Sequence, residues 1–125
     1  MTRINCGIQP EELTDKHLFA EIREMKRIPN NIKKGKYVIS NIPDTFRLGT
    51  GHVKFFYDKL KYLHIRFDKL VSEWKKRGKN VSDYSDSFRD LPADLYNDYT
   101  PTKRDRHIVI ERLLERDFNS YKHLI

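Results

Sequence analysis

Val53, Phe56, Leu60, Leu63, Phe67, Leu70 and Trp74 recur at alternating spacings of three and four until Gly78 interrupts the run. At about 100° per residue those positions form one apolar stripe along a helix, with Lys54, Asp58, Lys61 and Arg66 off it. A stripe of this length has to be covered. It suits a coiled-coil dimer, and it equally suits a set of shorter helices within the same chain.

The rest of the chain supplies such helices. Leu18, Ile22 and Met25 mark a first helix of about Thr14 to Arg27. Thr14, or the Pro10-Glu11-Glu12 run, is suited to start it. Pro29 restricts Ile28, which predicts that this helix ends there. A last helix is expected from Lys103 to Arg116, with Ile110, Leu113 and Leu114 inward and Arg112 and Arg116 at i,i+4 on another side. The segments 6–13, 30–51 and 79–104 carry the Gly, Pro and Asn residues of loops. The expected fold is all-α, a single domain over residues 1–125 with three main helices and long irregular loops.

Charge narrows the class of partner. The chain of 125 residues has 25 Lys and Arg against 18 Asp and Glu, a net of +7, which suits a polyanion such as nucleic acid. No segment approaches ~20 uninterrupted apolar residues and no signal peptide opens the chain, so a soluble, intracellular protein is expected, with no membrane partner. Cys6 is the only cysteine, which excludes an internal disulfide and a multi-cysteine metal site; it is expected to pack against the first helix.

The first helix separates into faces. Opposite the Leu18, Ile22 and Met25 stripe lie Lys16, Arg23 and Arg27, with Glu24 and His17 just beyond them, next to Ala20. That is one carboxylate beside a row of cations. By spacing alone it also suits an ordinary solvated face in which Glu24 pairs with Arg27 at i,i+3. The chain starts Met1-Thr2-Arg3-Ile4-Asn5, and a residue as small as Thr2 permits removal of Met1. An α-amine has a pKa of roughly 7.7–8.0, so part of it is an uncharged nucleophile near neutral pH, and cations nearby raise that fraction.

Three blocks occur in order: Thr2-Arg3-Ile4-Asn5; the His-Leu-x-Ala-Glu-x-Arg-Glu-x-x-Arg pattern at His17 to Arg27; and Gly49 to Leu60, which reads Gly-Thr-Gly-His-Val-Lys-Phe-Phe-Tyr-Asp-Lys-Leu. Together they resemble the phage-type endonuclease V family, the pyrimidine-dimer DNA glycosylases and AP lyases. The resemblance implies a Thr2 amine that attacks the sugar and a Glu24 carboxylate that stabilises the cationic sugar. It further implies that Arg3, His17, Arg23 and Arg27 surround the lesion and its phosphates, and that Arg112 and Arg116 hold the backbone. The implied partner is damaged double-stranded DNA, bound by a monomer that needs no metal and no cofactor. One departure concerns the tail. A Trp- and Tyr-rich carboxyl end found in a member of that family is replaced by residues 117–125, in which Phe118 and Tyr121 are partial substitutes, so a different damaged or modified base is an open alternative.

Two rival readings differ in class. His17, Glu21, Glu24, His52 and His64 invite a metal nuclease, although they fall in no standard ligand pattern. A basic helical protein can also bind DNA without cutting it. The binding and glycosylase readings part on Glu24, which a binding module does not need, and full activity in chelator would end the metal reading.

Overall fold

The computed structural model describes residues 3–81 and 85–125. Thr2, the expected nucleophile, lies outside the described residues, as do residues 82–84 of the long connection. The described chain is all-helical and has no strand. Its helices are α1 (Asp15–Met25), α2 (Arg27–Lys33), α3 (His52–Phe55), α4 (Leu60–Lys76), α5 (Lys103–Arg116) and α6 (Phe118–Tyr121), with 3-10 turns at Pro10–Glu12, Ser85–Phe88, Ala93–Leu95 and Lys122–Leu124. Among the described residues, no helix is long and apolar enough to cross a membrane.

The expected first helix is two. Thr14 caps α1, its hydroxyl accepting from the His17 amide, and the chain kinks at Lys26 before α2 begins. The kink puts Pro29 in the first turn of a new helix, where a missing N–H removes no bond because the first amides of a helix have no intrahelical acceptor. Pro29 is therefore buried inside α2 rather than standing after α1.

The middle stripe is also interrupted. Phe56, Tyr57 and Lys59 donate to the carbonyls three residues back, a tight turn that separates α3 from α4. The turn drives Phe55 and Phe56 inward together, and both are fully buried. The far end behaves as expected: the Gly78 amide bonds to Lys75 and the Lys79 amide to Trp74, closing α4 with glycine in the left-handed region at φ 79°.

From Leu60 to Trp74 the stripe is buried within the chain, and α1 makes the principal helix contact with α4. A partner helix is left no stripe to cover. Leu18, Ile22 and Met25 meet Leu63, Phe67 and Leu70 in one core that also takes in Tyr121 of α6 and Ile4 and Ile8 of residues 3–8, an irregular single strand of chain at the amino terminus that pairs in no sheet. Cys6 is fully buried in the same core, where its thiol accepts from Tyr62 Oη at 3.6 Å and lies 4.0 Å from Asp105 Oδ2, polar neighbours supplied by α4 and α5. Burial pushes the thiol up to about 12, so it remains protonated.

Arg66, expected among the polar positions off the stripe, is buried. Its guanidinium meets Glu21 of α1 through two hydrogen bonds, Nη2 to Oε1 at 3.0 Å among them, and Nη1 donates to the Ile8 carbonyl at 2.8 Å. Burial alone would lower the arginine pKa, but the Glu21 charge and hydrogen bonds reverse this and raise it. Arg66→Met would strand the Glu21 carboxylate, itself 2% exposed. The expected loss is about 3–5 kcal/mol of unfolding free energy, read from urea melts; a loss below about 1 kcal/mol would contradict a structural pair.

Candidate active site

A cleft of about 720 Å³ opens between the amino-terminal strand, α1 and the carboxyl-terminal end of α5. The strand contributes Arg3 and Asn5; α1 contributes His17, Ala20, Glu21 and Glu24; α5 contributes Arg112 and Arg116. Asp117 and Ser120 close one end, where the Asp117 carboxylate caps α6 by accepting from the Ser120 amide and hydroxyl.

The strand is held from several sides. Asn5 Nδ2 donates to Glu21 Oε1 at 2.7 Å, and the Ile4 amide donates to His52 Nε2 at 2.9 Å. Farther along, Arg106 of α5 donates to the Gly7 carbonyl at 3.0 Å and forms a bidentate pair with Glu12. A bidentate guanidinium–carboxylate pair fixes geometry as well as charge. The strand's path along α1 is thereby set by side chains rather than by a sheet.

Glu24 is half-buried in the cleft, and among the described residues no ion pair within 4 Å occupies its oxygens. The i,i+3 pair with Arg27 is not formed. Arg3 is the cation whose field it shares. Burial and the adjacent Arg116 lower the Arg3 pKa while Glu24 acts in the opposite sense, which places the strand, α1 and α5 around one charged centre.

His17 belongs to the same wall. Its ring stacks on Tyr121 at 5.5 Å, and Nδ1 lies 2.6 Å from Tyr121 Oη, which also receives the Thr14 amide at 3.1 Å. Burial first, then Lys16, holds the imidazole below its ordinary pKa against the pull of Asp117. The lowered pKa favours the neutral ring at neutral pH, and His17 lines the cleft with its Nδ1 engaged by Tyr121. Tyr121 is correspondingly unavailable as a stacking surface: it is fully buried and tied to α1, so it cannot replace the missing aromatic tail. Phe118, 55% exposed, is the tail aromatic that remains accessible.

The cleft does not gather every expected residue. Arg23 lies over the Phe19 ring at 5.9 Å, and Phe19 in turn stacks on Trp74, which takes Arg23 along the flank of α1. Arg27 is exposed at the first position of α2. Neither lines the cleft. Of the residues in the metal reading, Glu21 is engaged by Asn5 and Arg66 and His17 Nδ1 by Tyr121, and among the described residues no three His, Cys, Asp or Glu side chains gather as a metal site. His64 stacks on Phe88 and bonds Tyr96, away from these groups.

A family model described as pyrimidine dimer DNA glycosylase matches residues 1–86. The chain belongs to this family. It is a family of DNA-repair enzymes that act on damaged DNA, and membership sets aside the reading of the chain as a non-catalytic module. The match takes in the strand and α1, hence Arg3, His17 and Glu24. The opposite wall of this glycosylase's cleft, Arg112 and Arg116, lies beyond the matched residues.

That wall is basic and displayed to solvent, with Arg116 exposed and Arg112 partly so, one helical turn apart. Point cations on a surface suit phosphates and carry no base sequence. Replacing either arginine with Ala is expected to weaken binding to damaged and undamaged duplexes alike and to reduce the salt slope by about 1, as fluorescence anisotropy over a salt series would show. A loss confined to damaged duplex would assign the residue to the lesion instead.

Proposed function

We propose that the protein is a single-domain, monomeric DNA N-glycosylase with coupled AP lyase activity, acting on cyclobutane pyrimidine dimers through its terminal amine. Removal of Met1 frees the Thr2 amine, whose nitrogen bonds to C1′ of the damaged nucleotide as the glycosidic bond breaks and its electron pair leaves with the base. The sugar ring opens to an imine. That imine accepts the electron pair released when a proton leaves C2′, and the 3′ phosphate departs with its bonding electrons by β-elimination. Glu24 stabilises the cationic sugar in the first stage and takes part in proton transfer in the second.

The observation that carries this reading is the company Glu24 keeps. A half-buried carboxylate on a basic DNA-facing surface lowers affinity for phosphate, and here it shares its cleft with Arg3, the residue bonded to Thr2. Arg3, His17, Arg112 and Arg116 would grip the sugar-phosphate backbone around the lesion, with Arg23 and Arg27 meeting phosphates outside the cleft. A damaged pair unstacks at lower cost, which eases access to C1′.

Borohydride trapping tests the proposal, because reduction fixes an imine as a stable amine. Untagged protein lacking Met1 should be trapped on a duplex with one thymine dimer and on an abasic duplex. Trapping on the abasic duplex alone would favour the same chemistry on another base, a reading supported by the tail, where Tyr121 is buried and Phe118 alone stays open. No trapping on either would overturn the amine mechanism.

A further inference from the structure

His52 is 4% exposed, and its ring sits between the edges of Phe46 and Phe56, at 5.4 and 5.6 Å. It makes one hydrogen bond from each nitrogen. Nε2 lies 2.9 Å from the Ile4 amide, which can only donate, and Nδ1 lies 2.9 Å from the Arg47 carbonyl, which can only accept. The pair of bonds fixes a neutral ring with its proton on Nδ1. A charged ring would point a second N–H at the Ile4 amide and lose the contact.

We infer that His52 is a positioning residue for the reaction: as a neutral acceptor it holds the Ile4 amide and thereby sets the reach of the terminal amine toward Glu24 and the sugar. The inference rests on the amine mechanism proposed above. Ile4 and Asn5 are consecutive, one held by His52 and the other by Glu21, so the strand is anchored directly after Arg3, which lines the cleft. His52 does not line that cleft and can act only through the strand. Misplacing a reacting group by ~1 Å costs about a hundredfold in rate, so an anchor two residues from the nucleophile matters to chemistry more than to affinity.

The charged groups around the ring keep it neutral on balance. Burial lowers the imidazole pKa, with Arg3 of the strand adding to it, and outweighs the Arg47 carbonyl and Glu21 of α1, which favour the imidazolium. Arg104 of α5 is directed to the Phe46 carbonyl rather than to the ring.

The test uses His52→Leu and His52→Gln in untagged, Met1-free protein. Leu fills the space without an acceptor, and Gln restores an oxygen acceptor that does not titrate. Single-turnover borohydride trapping on an abasic duplex is compared with the Kd for a reduced abasic duplex, which cannot form an imine, and with hydrogen exchange at the Ile4 amide. Leu is expected to slow trapping about 10- to 100-fold, leave Kd within about twofold, and speed Ile4 exchange. Gln should recover most of the trapping rate at pH 7. The ratio of wild-type to Gln rates, in which titration of the amine itself cancels, should fall as the pH is lowered.

Unchanged trapping in the Leu variant would overturn the inference, as would parallel loss of trapping and affinity that Gln fails to rescue. Should the Leu chain not fold, His52→Asn takes its place, since the shorter amide can still donate to the Arg47 carbonyl but cannot reach the Ile4 amide, and unchanged trapping in that variant would overturn the inference. Absence of trapping in unaltered protein is a separate result: it removes the amine mechanism, and this role with it, whatever the variants do.

Discussion

Glu24→Gln is expected to lower the single-turnover rate of strand cleavage by about 10²–10⁴-fold while duplex affinity holds or rises. The amide keeps the shape of the side chain and removes the charge. In the proposed mechanism two steps need that charge: the glycosidic bond breaks through a cationic sugar, and the C2′ proton must be moved. Binding needs neither, and Arg3, Arg112 and Arg116 would face the phosphates with one less anion among them. Cleavage assays run beside anisotropy titrations separate these effects. Cleavage within a few-fold of the unaltered protein would remove Glu24 from the chemistry, and a parallel drop in affinity would recast it as a structural carboxylate.

Loss of imine trapping is likewise expected when the amino terminus is extended or blocked. A single additional residue displaces the amine by up to about 3.8 Å, the span of one peptide unit, whereas attack requires the reacting atoms within about 3–3.5 Å. Retaining Met1 should therefore reduce trapping to background, and acetylating the Thr2 amine should do the same by removing its lone pair. Duplex binding should survive both changes, because the cleft cations are side chains. The amine also predicts a pH profile: imine formation rises as the amine loses its proton, near or below its usual 7.7–8.0 since the Arg3 cation is next to it. Trapping by a tagged protein would show that another amine, such as a lysine, is the nucleophile.

How much of this was legible depends on the kind of signal. The apolar period of α4, the Gly78 stop and the limits of α5 follow from local rules, because helical repeat, a left-handed glycine and a Thr102 cap act within a few residues. The two breaks, at Lys26 and at Phe56 to Lys59, were not legible. Apolar spacing runs through both, and only packing selects a kink that turns Pro29, Phe55 and Phe56 inward. The buried ion pair did leave a trace. Glu21 sits between Leu18 and Ile22 as Arg66 sits between Leu63 and Phe67, two opposite charges at the same offset in two apolar stripes. A charge within an apolar face signals a partner, and the matching offset names it.

The sequence by itself determined the helical class, the basic character, and the strand and helix blocks that place Arg3, His17 and Glu24 in a glycosylase family, since these reside in periodicity, charge and motif. Tertiary structure alone decided which charges share a cleft. It brought Arg112 and Arg116 opposite Glu24 and stacked Phe19, which carries Arg23, on Trp74. It also buried Tyr121 beneath His17 and set His52 on the Ile4 amide. Those outcomes depend on how α3, α5 and α6 pack against α1 and the amino-terminal segment, and contacts between residues far apart in the chain leave no periodicity to read.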